Sequence, residues 1–378
     1  MLARLSLALR SIDWVLAGCV FAISCFGLAT MHAFGPSSEG DPFFTRQVAW
    51  LAVSLFAFVA MASVDYRFLR RTPIVVAIYG AAVVSLLGLY VFGSTYSGAQ
   101  SWYNFGFFAF QPVEFAKMAL IVVLAKYFSR RHVEIARIRH VIVSGAYAFI
   151  LFALLFLQPD FGSAMLVFAV WLGMVMVSGI SKKHLAFVAT LAAVCGVAVW
   201  GLLLDDYQKN RISTFLDPLS DIRGAGYNAY QATITVGSGQ LFGKGVGFGT
   251  QSRLKFLPEY ETDFVFAAFA EEWGFVGVVI LFVLWFIAIW RIVEVGRFGE
   301  SNFESLYAYG LALLFMSHFT IHVGMNIGEM PVTGLTFPFM SYGGTHLLVA
   351  YAALGILMGM RRNAKPDKRM LTREIELR

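Results

Sequence analysis

The chain has 378 residues, of which 58% are hydrophobic and only 14% are charged. Because soluble domains carry about 25% charged residues, this composition excludes a soluble globular protein and a disordered one. The formal net charge is +6, but Lys and Arg do not cluster on a soluble face, which excludes a nucleic-acid-binding protein.

Ten apolar segments predict ten membrane-spanning helices in an all-α polytopic protein, because about 20 apolar residues cross the hydrocarbon of a bilayer. The segments are 14–34, 48–64, 73–93, 112–128, 141–157, 162–180, 184–204, 264–290, 305–327 and 342–360. The first is longer than a signal-peptide core and no A-x-A site follows it, so we expect a retained span. The segment 112–128 is short, opens at Gln111-Pro112 and contains Glu114 and Lys117, so we expect it to be tilted or broken.

The basic residues predict the orientation of these spans. With the N-terminus inside, 21 of the 29 Lys and Arg residues lie in inner segments, as the positive-inside rule requires. Both termini are therefore expected to be cytoplasmic. The basic tail 361–378 is interpreted as a topological signal, with contact to anionic lipid headgroups as the alternative. No repeat or soluble domain is visible, so 1–378 is expected to form one integral membrane domain.

The longest hydrophilic segment, 205–263, lies on the outer side between the seventh and eighth predicted helices. It contains seven acidic and six basic residues, a mixed surface that suits a ligand with sugar hydroxyls and phosphates. Its glycine-rich part, 237–249, lacks the Walker spacing. Exposed N–H groups there would approach a pyrophosphate, and a plain re-entrant turn is the equal alternative.

Asp263 ends this segment, directly before a long apolar helix. A carboxylate at the membrane boundary suits a general base, since an acceptor hydroxyl reaches it from water. The alternative is a helix N-cap. Glu271 and Glu272 lie deeper on the same helix, where a charge facing lipid is costly. They therefore imply an internal polar cavity or a structural ion pair.

Other polar residues fall within or next to the spans. Glu114 and Lys117 are spaced i, i+3, so they share one helix face. They are candidate functional residues, because ionisable groups inside membranes are rarely incidental, or a pair that only neutralises itself. Asp160 is a candidate site residue or an N-cap. His322 and His346 show no metal-ligand spacing, so we expect them to pack.

Several short motifs in this order resemble the SEDS family (shape, elongation, division and sporulation) of bacterial membrane proteins, over roughly residues 12–360. The motifs include GAQSW at 98–102, FQPVEFAK at 110–117, QPDFG at 158–162, DYQKNR at 206–211, GTQ at 249–251, FLPE at 256–259, TDF at 262–264, PVTG at 331–334 and SYGG at 341–344. The DYQ and GTQ elements favour the elongation branch over the division branch.

The resemblance implies a ten-helix bundle with a large outer loop between helices 7 and 8, in the bacterial cytoplasmic membrane. It implies a peptidoglycan glycosyltransferase that polymerises lipid II into glycan strands for rod-shape elongation, with Asp263 as the catalytic base. It also implies a class B penicillin-binding protein as partner and a divalent cation, Mg²⁺ or Mn²⁺, without an organic cofactor or a legible ligand set. The expected substrate-binding residues are Trp102, Glu114, Lys117, Asp160, Arg211, Lys244, Glu259 and Ser341.

Four positions depart from the family pattern, namely Val113, Glu261, Glu329 and His346. They affect the expected electrostatics and regulation of the site more than the reaction class. Three other functions remain open from the sequence. These are a lipid II flippase, a proton-coupled secondary transporter using Glu114 and Glu271, and a scaffold that only positions a transpeptidase.

Overall fold

A computed structural model describes residues 12–33, 42–96, 99–106, 108–130, 138–202, 226–254 and 256–362, together with the single residues 209, 213 and 215. Within these ranges the chain is predominantly helical. The helices in chain order are α1 Trp14–Ala33, α2 Pro42–Ser63, α3 Thr72–Phe92, α4 Pro112–Ser129, α5 Ile138–Leu157, α6 Phe161–Val177, α7 Lys182–Leu202, α8 Tyr227–Ser238, α9 Thr250–Arg253, α10 Val265–Arg297, α11 Asn302–Asn326 and α12 Gly344–Arg361.

Each of the ten predicted spans coincides with one long helix, so the prediction of an all-α polytopic membrane protein is confirmed. By length and composition, seven helices in the described part of the chain are able to cross a membrane, and α6 is a shorter apolar helix. The long segment between α7 and α10, which the sequence predicts to be on the outer side, contains α8 and α9. That residues 1–378 form one domain stays a prediction, and the tail from 363 onward lies outside the described residues.

The sequence did not predict a small antiparallel sheet between α3 and α4. Its strands β1 Ser94–Tyr96, β2 Ala99–Asn104 and β3 Ala109–Phe110 pair in the order β1-β2-β3. In the register, Ser94 lies opposite Trp102 and Tyr103 lies opposite Phe110. The Tyr103 hydroxyl donates to the carbonyl of Ser85 at 2.8 Å, which attaches the sheet to α3.

Helix α4 lies inside the bundle, and the expectation that it would be broken is wrong. It packs against α3, α5, α6, α11 and α12 and is buried along most of its length. Pro112 stands in its first turn, where a missing N–H disrupts no helical hydrogen bond. Glu114 and Lys117 form an ion pair at 2.8 Å, so both charges are compensated within the helix.

The break occurs in α10 instead, at Gly274, where φ is 64° and ψ is −168°. This conformation is accessible almost only to glycine. The break frees backbone groups that must be satisfied inside the protein, because the surrounding lipid offers no partners. The glycine-rich loop supplies them through four hydrogen bonds: Lys244 N to Glu271 O (2.9 Å), Gly245 N to Glu272 O (3.0 Å), Phe275 N to Gln240 O (2.9 Å) and Val276 N to Leu241 O (3.1 Å).

A polar cluster joins α1, α10 and α12 near the C-terminal end of α10, which is the end far from Asp263. The buried carboxylate of Asp13, directly before α1, accepts a hydrogen bond from Arg291 Nε on α10 at 2.8 Å and lies 3.6 Å from Arg361 on α12. Burial by itself raises the pKa of Asp13, but the hydrogen bonds from Arg291 and Leu16 and the charge of Arg361 outweigh it, and the pKa is lowered.

Candidate active site

Asp263 lies in a tight turn directly before α10. The N–H groups of Thr262, Asp263 and Phe264 all donate to the carbonyl of Glu259, at 3.2, 3.1 and 3.1 Å. Glu259 has a positive φ of 49°, so the chain enters this turn through a left-handed conformation. The N-cap position of α10 belongs to Phe264, which forms no side-chain cap. Asp263 therefore stands one residue outside the helix, which disfavours the N-cap alternative.

The carbonyl groups of the same turn are held by donors from distant parts of the chain. Three successive carbonyls accept hydrogen bonds, Glu261 O from Tyr342 N (2.7 Å), Thr262 O from Ser341 Oγ (2.7 Å) and Asp263 O from Asn326 Nδ2 (3.0 Å). The structure thus brings the predicted site residues Glu259 and Ser341 to Asp263. It gives both a role in fixing the turn, through the Glu259 carbonyl and the buried Ser341 hydroxyl.

Gly334 lies beside the Asp263 carboxylate. The Asp263 side chain is half-buried, and Gly334 has a φ of 70°, a conformation that favours glycine. A Cβ added at Gly334 would lie 3.6 Å from Asp263 Oδ2, an ordinary van der Waals contact. The glycine is therefore explained by the backbone conformation of the segment that contacts the carboxylate.

A buried polar network occupies the centre of the bundle. Lys117 Nζ donates to Glu114 Oε1 at 2.8 Å and to His318 Nε2 at 3.0 Å. The other carboxylate oxygen, Glu114 Oε2, lies 2.9 Å from His346 Nδ1. Helices α4, α11 and α12 are thus joined by groups that compensate each other, which is what charges inside a membrane protein require.

The expectation that His346 only packs is wrong, because its ring is bonded to Glu114. His318, which the sequence did not single out, completes the network. His318 Nδ1 lies 3.1 Å from the carbonyl of Thr336, and His322 Nδ1 lies 2.7 Å from the carbonyl of Leu335. Two successive turns of α11 therefore hold the segment at 335–336. The available signal was the i, i+4 spacing of His318 and His322, which places two imidazoles on one helix face.

The network also tests the divalent cation that the resemblance implies. Among the described residues, Glu114, His318 and His346 are the one group of three His, Cys or acidic side chains close enough to share a metal ion. Lys117 already places an ammonium within hydrogen-bond distance of two of them. This set therefore does not fit a second cation, and the divalent cation stays a prediction.

Lys244 forms an ion pair with the buried carboxylate of Glu271 at 2.7 Å. Glu271 also accepts hydrogen bonds from the Thr250 hydroxyl and the Gln251 N–H, both at 3.1 Å. Its neighbour Glu272 accepts the Gly247 N–H at 2.6 Å. The structural ion pair that the sequence left as one alternative for Glu271 is present, and several N–H groups of the glycine-rich loop are used within the protein.

Two of the remaining predicted site residues lie in other elements, and one lies outside the described residues. Trp102 lies in β2 and is half-buried. Asp160 caps α6 by accepting the Ser163 N–H at 3.0 Å. Arg211 lies outside the described residues. Of the four positions that depart from the family pattern, Val113 is buried in α4 and Glu329 is exposed.

Comparison with known proteins assigns this arrangement to a family. The family of cell cycle proteins that comprises FtsW, RodA and SpoVE matches residues 5–366. The chain belongs to this family. The peptidoglycan glycosyltransferase MrdB of Escherichia coli K12 is 36% identical over 321 residues, which cover 85% of this chain and 86% of that protein. The probable peptidoglycan glycosyltransferase FtsW of Thiomicrospira cyclica is 32% identical over 380 residues, covering 98% and 96%.

Solved structures of relatives share the fold. A peptidoglycan synthase complex, described as coordinating polymerization and crosslinking, contains a chain with a TM-score of 0.81 and 30% identity, covering 94% of this chain and 99% of that one. The rod shape determining protein RodA of Thermus thermophilus has a TM-score of 0.70 and 27% identity, covering 94% and 98%. The resemblance to the SEDS family is therefore confirmed.

Proposed function

We propose that the chain is a peptidoglycan glycosyltransferase that polymerises lipid II on the outer side of the bacterial cytoplasmic membrane, with Asp263 as general base. One observation carries the assignment of the base: Asp263 is half-buried and stands outside α10, in a turn whose N–H and carbonyl groups are both held. A base whose backbone is fixed in this way loses little freedom when the reaction takes place.

The chemistry requires one proton acceptor. The 4-hydroxyl of a lipid II GlcNAc attacks the anomeric carbon of the MurNAc at the end of the growing chain. The new C–O bond forms as the bond to the lipid pyrophosphate breaks, with inversion, and the Asp263 carboxylate takes the hydroxyl proton. Positive charge develops on the sugar ring in such reactions, and a carboxylate next to it also stabilises that charge.

The leaving pyrophosphate requires basic groups. Lys244 donates to Glu271 and Thr250, so only the third N–H of its ammonium group remains for the pyrophosphate. Arg211 is the other predicted contact and stays a prediction. Glu114 and Lys117 act at a distance in this proposal, by keeping the centre of the bundle polar and rigid.

The lipid part of the substrate has an apolar surface available next to the site. A groove of about 350 Å³ lies between α8, α10 and α11, lined by Val236, Phe266, Phe282, Val323 and Ile327 among others. Phe266 is three residues from Asp263. The groove is able to hold a hydrocarbon chain such as the undecaprenyl tail in place of a bilayer lipid tail, because its lining is apolar.

The partner and the orientation complete the proposal. A class B penicillin-binding protein with one membrane helix would bind the bundle and crosslink the new strands. A related chain belongs to a peptidoglycan synthase complex, which supports this assignment. Both termini would be cytoplasmic, which places the Asp263 turn on the outer side.

The test is polymerisation of lipid II by the purified protein, with and without the partner, scored as glycan ladders on a gel. We expect polymer from the wild type and only a small residual rate from Asp263→Asn, with an unchanged thermal unfolding midpoint. Glu329→Gln is the matched control, because it removes another exposed carboxylate, and its activity should stay within about twofold.

Two outcomes contradict the proposal. If folded Asp263→Asn polymerises normally, Asp263 is not the base. If the wild type makes no polymer under any condition but moves fluorescent lipid II between the leaflets of a vesicle, the flippase alternative is correct.

A further inference from the structure

Asn326, the last residue of α11, is fully buried and joins the end of α11 to the beginning of α10. Its side-chain oxygen Oδ1 accepts the N–H of Ala267 at 3.1 Å. Its Nδ2 donates to the carbonyl of Asp263 at 3.0 Å and to the carbonyl of His322 at 2.8 Å. Since an N–H requires an acceptor and a carbonyl requires a donor, only this orientation of the amide satisfies all three groups.

Two of these groups, the carbonyl of Asp263 and the N–H of Ala267, belong to residues that are four apart in the chain. In an α-helix that began one residue earlier, the N–H of Ala267 would bond to the carbonyl of Asp263. Here the amide of Asn326 takes both groups. The helix starts one residue later, where the N–H of Ala268 donates to the carbonyl of Phe264 at 3.1 Å.

The place where α10 begins determines what Asp263 does. If the helix started one residue earlier, Asp263 would be its N-cap, with its carboxylate turned toward the N–H groups of the first turn. A carboxylate in that position is bound to the helix and is no longer directed at a substrate hydroxyl. The two roles that the sequence allowed for Asp263 thus differ by one helical residue.

We propose that Asn326 is a positioning residue that keeps Asp263 outside α10, in the place from which it acts as the base. The inference rests on the proposed function of Asp263. Asn326 acts through the backbone of Asp263 and contacts no reacting atom. Because misplacement of a catalytic group by about 1 Å costs up to about 100-fold in rate, its removal lowers kcat more than it changes KM.

The experiment compares Asn326→Leu, which keeps the branched shape of the side chain and removes all three hydrogen bonds, with Asn326→Gln, which keeps the amide but moves it by one methylene. The control is Tyr307→Phe on the same helix. The Tyr307 hydroxyl is buried and donates to the carbonyl of Ala353 at 3.1 Å, so the control also removes a buried interhelical hydrogen bond. All variants are assayed for lipid II polymerisation and thermal unfolding.

We expect Asn326→Leu to lower kcat about 100-fold and Asn326→Gln about tenfold, with KM within twofold. Tyr307→Phe keeps kcat within twofold at a comparable loss of thermal midpoint. In an Asp263→Asn background, Asn326→Leu changes the residual rate by less than twofold, because a residue that acts through Asp263 has no further effect once the carboxylate is gone.

The inference is overturned if both Asn326 variants keep kcat within twofold of the wild type. It is equally overturned if Tyr307→Phe loses as much kcat as they do, or if Asn326→Leu lowers the rate by the same factor in both backgrounds. Failure of the proposed function looks different, because Asp263→Asn by itself would then be active.

Discussion

The ammonium group of Lys244 lies 2.7 Å from Glu271 Oε1, and this ion pair joins the glycine-rich loop to α10. The loop backbone satisfies the helix on both sides of Gly274. The sequence allowed two interpretations of the glycine-rich segment, an open phosphate cradle and a re-entrant turn. Because several of its N–H groups bind Glu271 and Glu272, the structure favours the re-entrant turn.

We predict that Lys244→Ala lowers the free energy of unfolding by about 3 kcal/mol, because it leaves the buried Glu271 carboxylate without its cation. The double variant Lys244→Met with Glu271→Gln should recover most of this loss, since no charge then remains buried. Thermal unfolding in detergent micelles measures both. If Lys244→Ala instead weakens lipid II binding at unchanged stability, the ammonium serves the substrate.

Gly274→Ala should prevent the glycine-rich loop from packing against the break in α10. Its φ of 64° is strained for any residue with a Cβ, and that Cβ would lie 2.1 Å from Gly243 N. We expect a loss of at least about 3 kcal/mol in stability, seen as aggregation or early elution in size-exclusion chromatography. Gly80→Ala is the control, since no atom lies within 4 Å of its added Cβ, and it should behave as wild type.

Removing one member of the central ion pair should destabilise the bundle more than removing both. Glu114→Ala leaves the buried Lys117 ammonium uncompensated, which costs about 3 kcal/mol. Adding Lys117→Met to that variant should restore part of the thermal midpoint. A double variant less stable than Glu114→Ala would show that Lys117 stabilises the bundle through His318 instead.

The Asp13 cluster predicts an acid dependence of stability. Because the pKa of Asp13 in the folded protein lies below its ordinary value of 3.8, its contribution is fully present above that pH and is lost as pH falls through the lower folded value. Asp13→Asn should therefore be less stable than wild type at pH 7, and the difference should shrink below pH 4. Thermal midpoints measured from pH 7 to pH 3 test this, and a constant difference would contradict it.

Much of the architecture was predictable because it depends on local properties of the chain. The ten spans follow from the length of each apolar segment, and Glu114 and Lys117 pair because a helix places i and i+3 on one face. Motif order identified the family and marked Asp263. The β-sheet at Ser94–Tyr96 and its partners was missed, because short strands have little periodicity to detect.

The contacts that shape the site were decided by the tertiary structure. His346 is 232 residues from Glu114 and Asn326 is 63 residues from Asp263, and nothing local relates either pair. Inside a bilayer every helix surface is apolar, so hydrophobic patterning does not specify which helices become neighbours. The sequence by itself therefore determined the spans and the candidate carboxylate at 263. Only the packing of α11 against α10 decided that this carboxylate stands outside the helix, because it brings the Asn326 amide to the carbonyl of Asp263 and the N–H of Ala267.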